Sequence, residues 1–263
     1  MTTEKLAELN GRLKDEIPQV GAFIVENLDK ISDQVIETKS LNSLVSFVDK
    51  EAEKKLVSIL AKVLPEAGFL TEEKTIATSN KKTKWIIDPL DGTTNFLHRL
   101  PFFSISIALE YHDEIVFGVV YECVRKEYFS AWKNGGAYLN ANRIQVSQHT
   151  KLSDCLLATG FPYFNFIELD DYLEKLSVFI KSTRGIRRFG SAALDLAYVA
   201  CGRFDGYFEN NLNTWDVAAG VILIKEAGGR ITDYNDKDEA KSGQEILAGN
   251  KSIHPLMLAI LNG

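Results

Sequence analysis

Hydrophobic residues recur every three or four positions in the first quarter of the chain, which is the period of an amphipathic helix. The first such series is interrupted by Pro18 and consists of Leu6, Leu9, Leu13, Ile17, Ile24, Leu28 and Ile31. Because proline kinks or breaks a helix, this series predicts one kinked helix or two consecutive helices. A second series predicts a helix over about 47–64, and its inner face consists of Val48, Ala52, Leu56, Ile59 and Val63.

The next part of the chain shows the alternating pattern of strands. From Phe103 to Leu109 every second residue is hydrophobic, and 115–121 and 128–131 are predicted as neighbouring strands. Asn134 and the two glycines after it predict a turn.

Strand and helix patterns then alternate to the end of the chain. The predicted strands lie at 155–159, 186–189, 205–209 and near Ile231 and Ile246. The predicted helices lie at 169–181, 192–200 and 215–227, with a last one from about His254. Runs of strands followed by β–α alternation predict stacked layers of helices and sheets. We expect one compact unit with an N-terminal α+β half, 1–145, and a C-terminal α/β half, 146–263.

Composition narrows the function classes. The 263 residues are 45% hydrophobic and 25% charged, which is typical of a soluble globular protein with a substantial core. The net charge of −6 argues against a general affinity for nucleic acid. It leaves a phosphorylated substrate open, because bound cations can invert the local field.

Targeting and redox features favour the cytoplasm. No apolar run approaches the roughly 20 residues that span a bilayer, and the N-terminal segment is amphipathic and unlike a signal peptide. The cysteines Cys123, Cys155 and Cys201 are odd in number and far apart, so we expect free thiols.

Candidate chemistry concentrates in one short segment. The apolar run Trp85–Ile87 predicts a strand, and Asp88 and Asp91 follow it with a proline between them. Gly92 then permits close backbone approach, and Thr93 is placed to begin a helix. Two carboxylates suit a hard divalent cation, and free backbone N–H groups suit a phosphate.

One aspartate pair is too few for two such ions, so we looked for acids at the ends of other elements. Glu72 follows a short apolar pair, and Asp49 lies near the start of the second predicted helix. Asp216 lies in the first turn of the helix that begins near Trp215, with Thr214 as the predicted N-cap. Side chains at element ends can converge without crossing a core.

Segment 85–96 resembles the first signature of the inositol monophosphatase family, a group of lithium-sensitive, metal-dependent phosphatases. Trp215–Gly220, continuing to Glu226–Gly229, resembles its second signature, and Gly190–Ala193 and the spacing of Glu72 agree. The resemblance covers nearly the whole chain. It implies a layered α-β-α-β-α sandwich of the inositol monophosphatase/fructose-1,6-bisphosphatase type.

The resemblance also implies roles for individual residues. The ligands of two to three Mg²⁺ ions would be Glu72, Asp88, the Leu90 carbonyl, Asp91 and Asp216. Substrate contacts would come from Asp91, Gly92, Thr93, Ala192, Glu209 and Asp216. The residues that activate or orient the attacking water would be Glu72, Thr93, Asp49 and Lys39.

The implied function is Mg²⁺-dependent hydrolysis of a small phosphomonoester, first of all myo-inositol monophosphate, by direct attack of metal-activated water. Relatives act on histidinol phosphate, fructose 1,6-bisphosphate, NADP or 3′-phosphoadenosine 5′-phosphate, so these substrates remain open. A regulatory, protein-binding role beside catalysis also remains open, because some bacterial members are linked to transcription. Homodimerisation and lithium inhibition are implied as well.

The residues alone leave structural alternatives open. Asp-Pro and Asp-Gly pairs are common in turns, and Asp216 would also favour a helix dipole without any ligand. Thr71 stands where the family usually has glycine. Glu72 could therefore be an ordinary surface acid and not a metal ligand. Ser43 departs from the family pattern, and Lys39 and the Arg187–Arg188 pair are equally compatible with solvated charges.

Overall fold

The computed structural model describes residues 1–28, 47–162, 169–238 and 240–263, and gives the backbone alone at 36–40 and 43–46. Its α-helices are α1 (Thr3–Leu13), α2 (Ile17–Glu26), α3 (Phe47–Val63), α4 (Thr93–Leu97), α5 (Leu169–Ser182), α6 (Ala192–Ala200), α7 (Thr214–Glu226) and α8 (His254–Leu261). The strands up to Ile144 are β1 (Ile36–Ser40), β2 (Ser43–Ser46), β3 (Gly68–Thr71), β4 (Thr83–Asp91), β5 (Ser104–Tyr111), β6 (Glu114–Glu122), β7 (Glu127–Trp132), β8 (Gly136–Leu139) and β9 (Asn142–Ile144). The later strands are β10 (Leu156–Thr159), β11 (Gly185–Arg187), β12 (Gly206–Asn210), β13 (Arg230–Thr232) and β14 (Glu245–Gly249).

The N-terminal helices follow the hydrophobic pattern. The interrupted series forms two helices, and Pro18 lies in the first turn of α2, where its missing N–H costs no hydrogen bond. In α3 the predicted inner face is buried except at Ile59, which is half-buried, while Leu60 is fully buried. Both residues fit the helical period, and Leu60 is the one that is buried in the apolar cluster beneath α3, with Ile59 at its margin.

Two larger sheets organise the molecule. Strands β3 to β9 form a seven-stranded sheet in chain order, with β3 and β4 parallel and all later neighbours antiparallel. The other sheet has the order β11-β10-β12-β14-β13. There β10 runs parallel to both β11 and β12, whereas β14 pairs antiparallel with β12 and β13.

Five layers of helices and sheets are held together by three apolar clusters. The first lies between α1–α3 and one face of the seven-stranded sheet. The second fills the space between the two sheets and contains α6 and α7. The third joins the far face of the five-stranded sheet to α5 and α8, through residues such as Phe179, Phe208 and Met257. The predicted layered sandwich is therefore confirmed.

Strand β5 shows how the layers are specified. Its hydrophobic positions, among them Ile105 and Ile107, are buried in the first cluster, as the alternation predicts. The opposite face carries small residues, and Ser106 Oγ donates to the Trp215 carbonyl of α7 at 3.2 Å. On β6, a Cβ at Gly118 would lie 2.6 Å from Ile222 Cγ2 of α7. Small side chains thus let α7 pack directly on the sheet.

Two sequence predictions need correction or restriction. The residue that precedes α7 as its N-cap is Asn213, whereas Thr214 is already helical, because Asp216 accepts a hydrogen bond from the Asn213 N–H. Strand β11 ends at Arg187 and does not reach residue 189. The division at residue 145 falls between the two sheets and remains a prediction.

Other expectations concern cysteines and membranes. The three cysteines are free thiols, with Cys123 and Cys155 buried and Cys201 half-buried. Among the described residues, no helix combines the length and the apolar character that a bilayer span requires.

Candidate active site

A break in the β4–β5 pairing places the first two acids. Asp88 is opposite Ser106 and Asp91 is opposite Ser104, so three steps along β4 match two along β5. Such a bulge redirects side chains at the end of a strand. Carboxylate oxygens of Asp88, Asp91 and Asp216 consequently lie within 4.8 Å of one another. The two signatures, more than 100 residues apart, meet at this point.

Hydrogen bonds fix each of these carboxylates. Asp88 Oδ1 accepts from the Leu90 N–H at 2.9 Å. Asp216 Oδ2 accepts from the Asn213 N–H at 2.7 Å, which secures it at the start of α7.

Asp91 receives the most support. Its Oδ2 accepts from Ser191 Oγ at 2.6 Å and from the Ala193 N–H at 2.8 Å. Both donors belong to the N-terminal end of α6, where free N–H groups and the helix dipole favour a negative charge. The β4 acid is therefore held by a helix of the layer between the two sheets.

The cluster is electrostatically unfavourable without a counter-ion. Burial and the charges of Glu72, Asp91 and Asp216 raise the pKa of Asp88 well above its usual value. Burial, and next the charge of Asp91, raise the pKa of Asp216. Burial raises the pKa of Asp91 to about 6 against the hydrogen bonds from Ser191 and α6. Oxygen ligands with this excess of negative charge fit a hard dication such as Mg²⁺.

Glu72 lies beside this cluster. It follows β3, and its N–H donates to the Ile87 carbonyl of β4 at 3.2 Å. Its charge raises the pKa of both Asp88 and Asp216, although the described three-acid group within 4.8 Å does not include it.

Glu53 supports the segment that carries Glu72, and sequence reasoning missed it. The side chain of Glu53 is fully buried on α3. Its two oxygens accept from the Glu73 N–H, the Thr75 N–H and Thr75 Oγ1, each at 2.7 Å. The available signal was an acid four residues after Asp49, on the apolar side of a predicted helix.

The turn after β4 is tightly enclosed. Gly92 has φ 95°, and a Cβ there would lie 3.1 Å from the Phe102 carbonyl and 3.2 Å from the Gly190 carbonyl. Thr93 Oγ1 donates to the Leu90 carbonyl at 3.0 Å. Glycine is thus required directly after Asp91, where α4 begins.

The remaining predicted catalytic residues are unequally placed. Asp49 is buried in the first turns of α3. The Lys39 side chain lies outside the described residues.

Residues of the five-stranded sheet form the opposite side of the site. Glu209 is buried near the end of β12 and accepts a short hydrogen bond from the Tyr207 hydroxyl. Burial raises the pKa of Glu209 to about 7, and the charge of Arg188 opposes this shift. Ala192, the first residue of α6, is buried close to the same region.

Two charged residues of this side were not predicted as site residues. Asp195 is buried on α6, and its pKa is raised well above the usual value by burial and by the charges of Glu209 and Asp91. Arg188 lowers the pKa of Asp91, Asp195 and Glu209, so its charge acts on the site. An acid inside the apolar stretch 192–200 was a readable signal, whereas nothing in the sequence separated Arg188 from Arg187.

Comparison with known proteins identifies the family to which the chain belongs. The profile of the inositol monophosphatase family matches residues 12–263. The chain belongs to the inositol monophosphatase family. Because this is a family of phosphatases, the predicted enzyme class, a phosphoric monoester hydrolase, is confirmed.

Three relatives illustrate the range of the inositol monophosphatase family. The inositol-1-monophosphatase of Caulobacter vibrioides is 41% identical over 239 residues, covering 89% of this chain and 93% of that protein. The Nus factor SuhB of Pseudomonas aeruginosa is 40% identical over 242 residues, covering 90% and 88%. The crystal structure of extragenic suppressor protein SuhB from Bartonella henselae matches with a TM-score of 0.91 and 40% identity, covering 95% of this chain and 97% of that one.

Proposed function

We propose that this protein is a Mg²⁺-dependent phosphatase that hydrolyses small phosphomonoesters, with myo-inositol monophosphate as the first candidate. The observation that carries the proposal is the convergence of Asp88, Asp91 and Asp216 within 4.8 Å. Three carboxylates so close repel one another unless protons or cations neutralise them. A site that must work near neutral pH on a phosphate anion favours the cations.

The ligand set suits Mg²⁺, which prefers carboxylate, carbonyl and water oxygens. We assign two to three ions to Glu72, Asp88, the Leu90 carbonyl, Asp91 and Asp216. When bound, the metal would supply activated water at neutral pH and charge stabilisation for the leaving oxygen. The hydrogen bonds described above fix the carboxylate oxygens of Asp88, Asp91 and Asp216.

The phosphate and the alcohol occupy different sides of the proposed site. The N–H groups of Gly92 and Thr93, at the start of α4, are assigned to the phosphate. Thr93, Asp49, Lys39 and Glu72 are assigned to orienting the water that attacks it. Asp91, Ala192 and Glu209 are assigned to the alcohol half, and Asp216 is assigned as a further substrate contact.

Inositol monophosphate is favoured over the other substrates by two observations. A relative that is 41% identical is named inositol-1-monophosphatase. Glu209 is a buried acceptor that suits the hydroxyl groups of a polyol and opposes a second phosphate beside it. The bisphosphate and nucleotide substrates, including NADP, are therefore less favoured, and histidinol phosphate remains an alternative.

Phosphate release tests the proposal. Purified protein with Mg²⁺ is expected to hydrolyse myo-inositol monophosphate faster than histidinol phosphate, fructose 1,6-bisphosphate, NADP or 3′-phosphoadenosine 5′-phosphate. EDTA should abolish the activity, and Li⁺ should inhibit it by competing at a Mg²⁺ position. No release from any of these esters would refute the assignment.

A regulatory role is the second candidate, because a relative 40% identical is named Nus factor SuhB. A variant without turnover should then still capture a specific protein of the transcription machinery from a lysate of the source organism. Capture of no such protein would leave catalysis as the sole proposed role.

We also propose a homodimer in the cytoplasm, and light scattering of the purified chain tests the dimer.

A further inference from the structure

Three parallel neighbours of the five-stranded sheet end at the alcohol side of the site. In the order β11-β10-β12, Arg188 follows β11, Gly160 follows β10, and Glu209 lies near the end of β12. The register pairs Ala158 with Arg187 and Thr159 with Phe208. Continued by one residue, this register puts Gly160 beside Glu209 and Arg188 beside Thr159. Arg188, Gly160 and Glu209 therefore lie along the same edge of the sheet, where α/β proteins commonly bind ligands.

Glycines leave room for both charged groups. A Cβ at Gly160 would lie 1.8 Å from the Glu209 carboxyl carbon, so any side chain there would displace this carboxylate. A Cβ at Gly190 would lie 2.4 Å from Arg188 Nη1. Gly160 thus leaves the space that the Glu209 carboxylate occupies, and Gly190 leaves the space for the Arg188 guanidinium.

A further contact places the guanidinium beside Phe161, the residue after Gly160. Its Cζ lies 5.7 Å from the centre of the Phe161 ring, in cation–π range. The side chain is half-buried, whereas Arg187 is exposed and donates from Nη1 to the Ile186 carbonyl at 3.0 Å. Arg188 and Arg187 are therefore chemically alike and differ in their relation to the site.

The charge of Arg188 acts on three acids of the site. It opposes the effect of burial on the pKa of Glu209, Asp195 and Asp91. Glu209 also accepts a hydrogen bond from the Tyr207 hydroxyl. The Glu209 carboxylate thus accepts a hydrogen bond from a neutral donor of its own strand, and the charge of Arg188, two strands away, favours its ionised form.

We propose that Arg188 is a positioning residue that holds the Glu209 carboxylate in place and thereby sets the preference of the site for polyol phosphates over esters without hydroxyl groups. The inference rests on the proposed phosphatase function. It concerns the alcohol half of the substrate, so Arg188 acts through Glu209, and the hydrolysis of an ester that offers no hydroxyl groups depends little on it.

The test compares two substrates in one set of proteins. KM and kcat are measured with Mg²⁺ for myo-inositol monophosphate and for 4-nitrophenyl phosphate, which has no hydroxyl group. In Arg188→Gln we expect kcat/KM for the polyol ester to fall about tenfold, mainly through KM, because a less well positioned Glu209 carboxylate binds the hydroxyl groups more weakly. The value for 4-nitrophenyl phosphate should change less than about twofold. Arg188→Lys should recover part of the preference, and Arg187→Gln is the matched control without a change.

A double-mutant cycle separates positioning from a general structural effect. In a Glu209→Gln background, Arg188→Gln should have little further effect on the polyol ester, because the group it positions is gone. Equal losses on both substrates, an equal effect of Arg187→Gln, or additive effects in the cycle would overturn the inference. If the unaltered protein hydrolysed neither ester, the proposed function itself would fail. Turnover of both esters with an unchanged ratio in Arg188→Gln would overturn only the role of Arg188.

Discussion

The two sides of the site balance their charge differently. On the metal side, Asp88, Asp91 and Asp216 converge, and burial and mutual repulsion raise the pKa of Asp88 and Asp216. On the alcohol side, Glu209 is buried too, but Arg188 and the Tyr207 hydroxyl support its carboxylate. Under the proposed function, the metal side takes its cations from solution, whereas on the alcohol side the chain itself supplies a cation, Arg188. Damage to the first should affect every substrate, and damage to the second should affect substrate choice.

The largest expected effect belongs to Asp91→Asn on the metal side. A neutral amide is a poor Mg²⁺ ligand, so kcat/KM should fall about a thousandfold for every ester, comparable to the removal of a strong electrostatic contact with the transition state. Phosphate release measures this, and the melting temperature checks the fold. The control is Asp113→Asn, at an exposed position with φ 64° that asparagine tolerates. Activity within a few-fold of the unaltered protein would remove Asp91 from the mechanism.

Glu53→Gln should weaken the metal side indirectly. Its three hydrogen bonds hold Glu73 and Thr75, next to Glu72, and a glutamine can accept with one oxygen only. The Mg²⁺ concentration for half-maximal activity should rise about tenfold, the size known for outer-shell partners of metal ligands. The control is Glu51→Gln on the same helix, where the carboxylate is half-exposed and paired with Lys54. An unchanged Mg²⁺ dependence would show that Glu53 only stabilises the fold.

Gly160→Ala should affect the alcohol side alone. Its Cβ would occupy the position of the Glu209 carboxylate, so the preference for inositol monophosphate over 4-nitrophenyl phosphate should fall about three- to tenfold. Gly11→Ala in α1 is the matched control, since nothing lies within 4 Å of a Cβ there. A comparable loss on both esters would mean that the two sides are not independent.

The smallest effect concerns pH and stability without metal. The pKa of Asp91 rises from 3.8 to about 6 and that of Glu209 from 4.5 to about 7 on folding. Because the folded state binds these protons more tightly, their stabilising contribution is complete below about pH 4 and is lost as the pH rises through about 6 to 7. In EDTA the melting temperature should therefore fall by a few degrees between about pH 5 and pH 8.

Magnesium should sharpen that contrast, because ions and protons compete for the same oxygens. The gain in melting temperature on adding Mg²⁺ is expected to be larger at about pH 8 than at about pH 5. Calorimetry at both pH values measures it. An equal gain at both would contradict the assignment of the ions to these carboxylates.

The sequence predicted the framework of the metal side well. Alternation over 103–109 follows from burial of the apolar face of β5 in the first cluster, which is a local property of the pattern. The apolar run before Asp88 follows from burial of both faces of β4, with Ile86 in the second cluster and Trp85 and Ile87 in the first. The helix 192–200 was predicted with the bounds that the structure has, and the layered fold followed from the order of elements. The boundary at Asn213 was missed by one residue, because threonine and asparagine are both good N-caps.

The alcohol side was harder to predict because its members act across strands. Arg188 acts on Glu209 from two strands away, and a periodic pattern along one element carries no record of such a neighbour. On the metal side the same holds for Glu53, whose hydrogen bonds go to a neighbouring loop. Gly160 gives no local signal either, since its role is to leave space for Glu209.

The hydrogen bonds from Ser191 and Ala193 to Asp91 have a practical consequence. They join positions separated by 100 and 102 residues, and so the orientation of the Asp91 carboxylate in 1–145 depends on a helix of 146–263. Under the proposed function, fragments 1–145 and 146–263 produced separately should each lack turnover. Turnover of the mixed fragments would then report the union of the two polypeptide pieces.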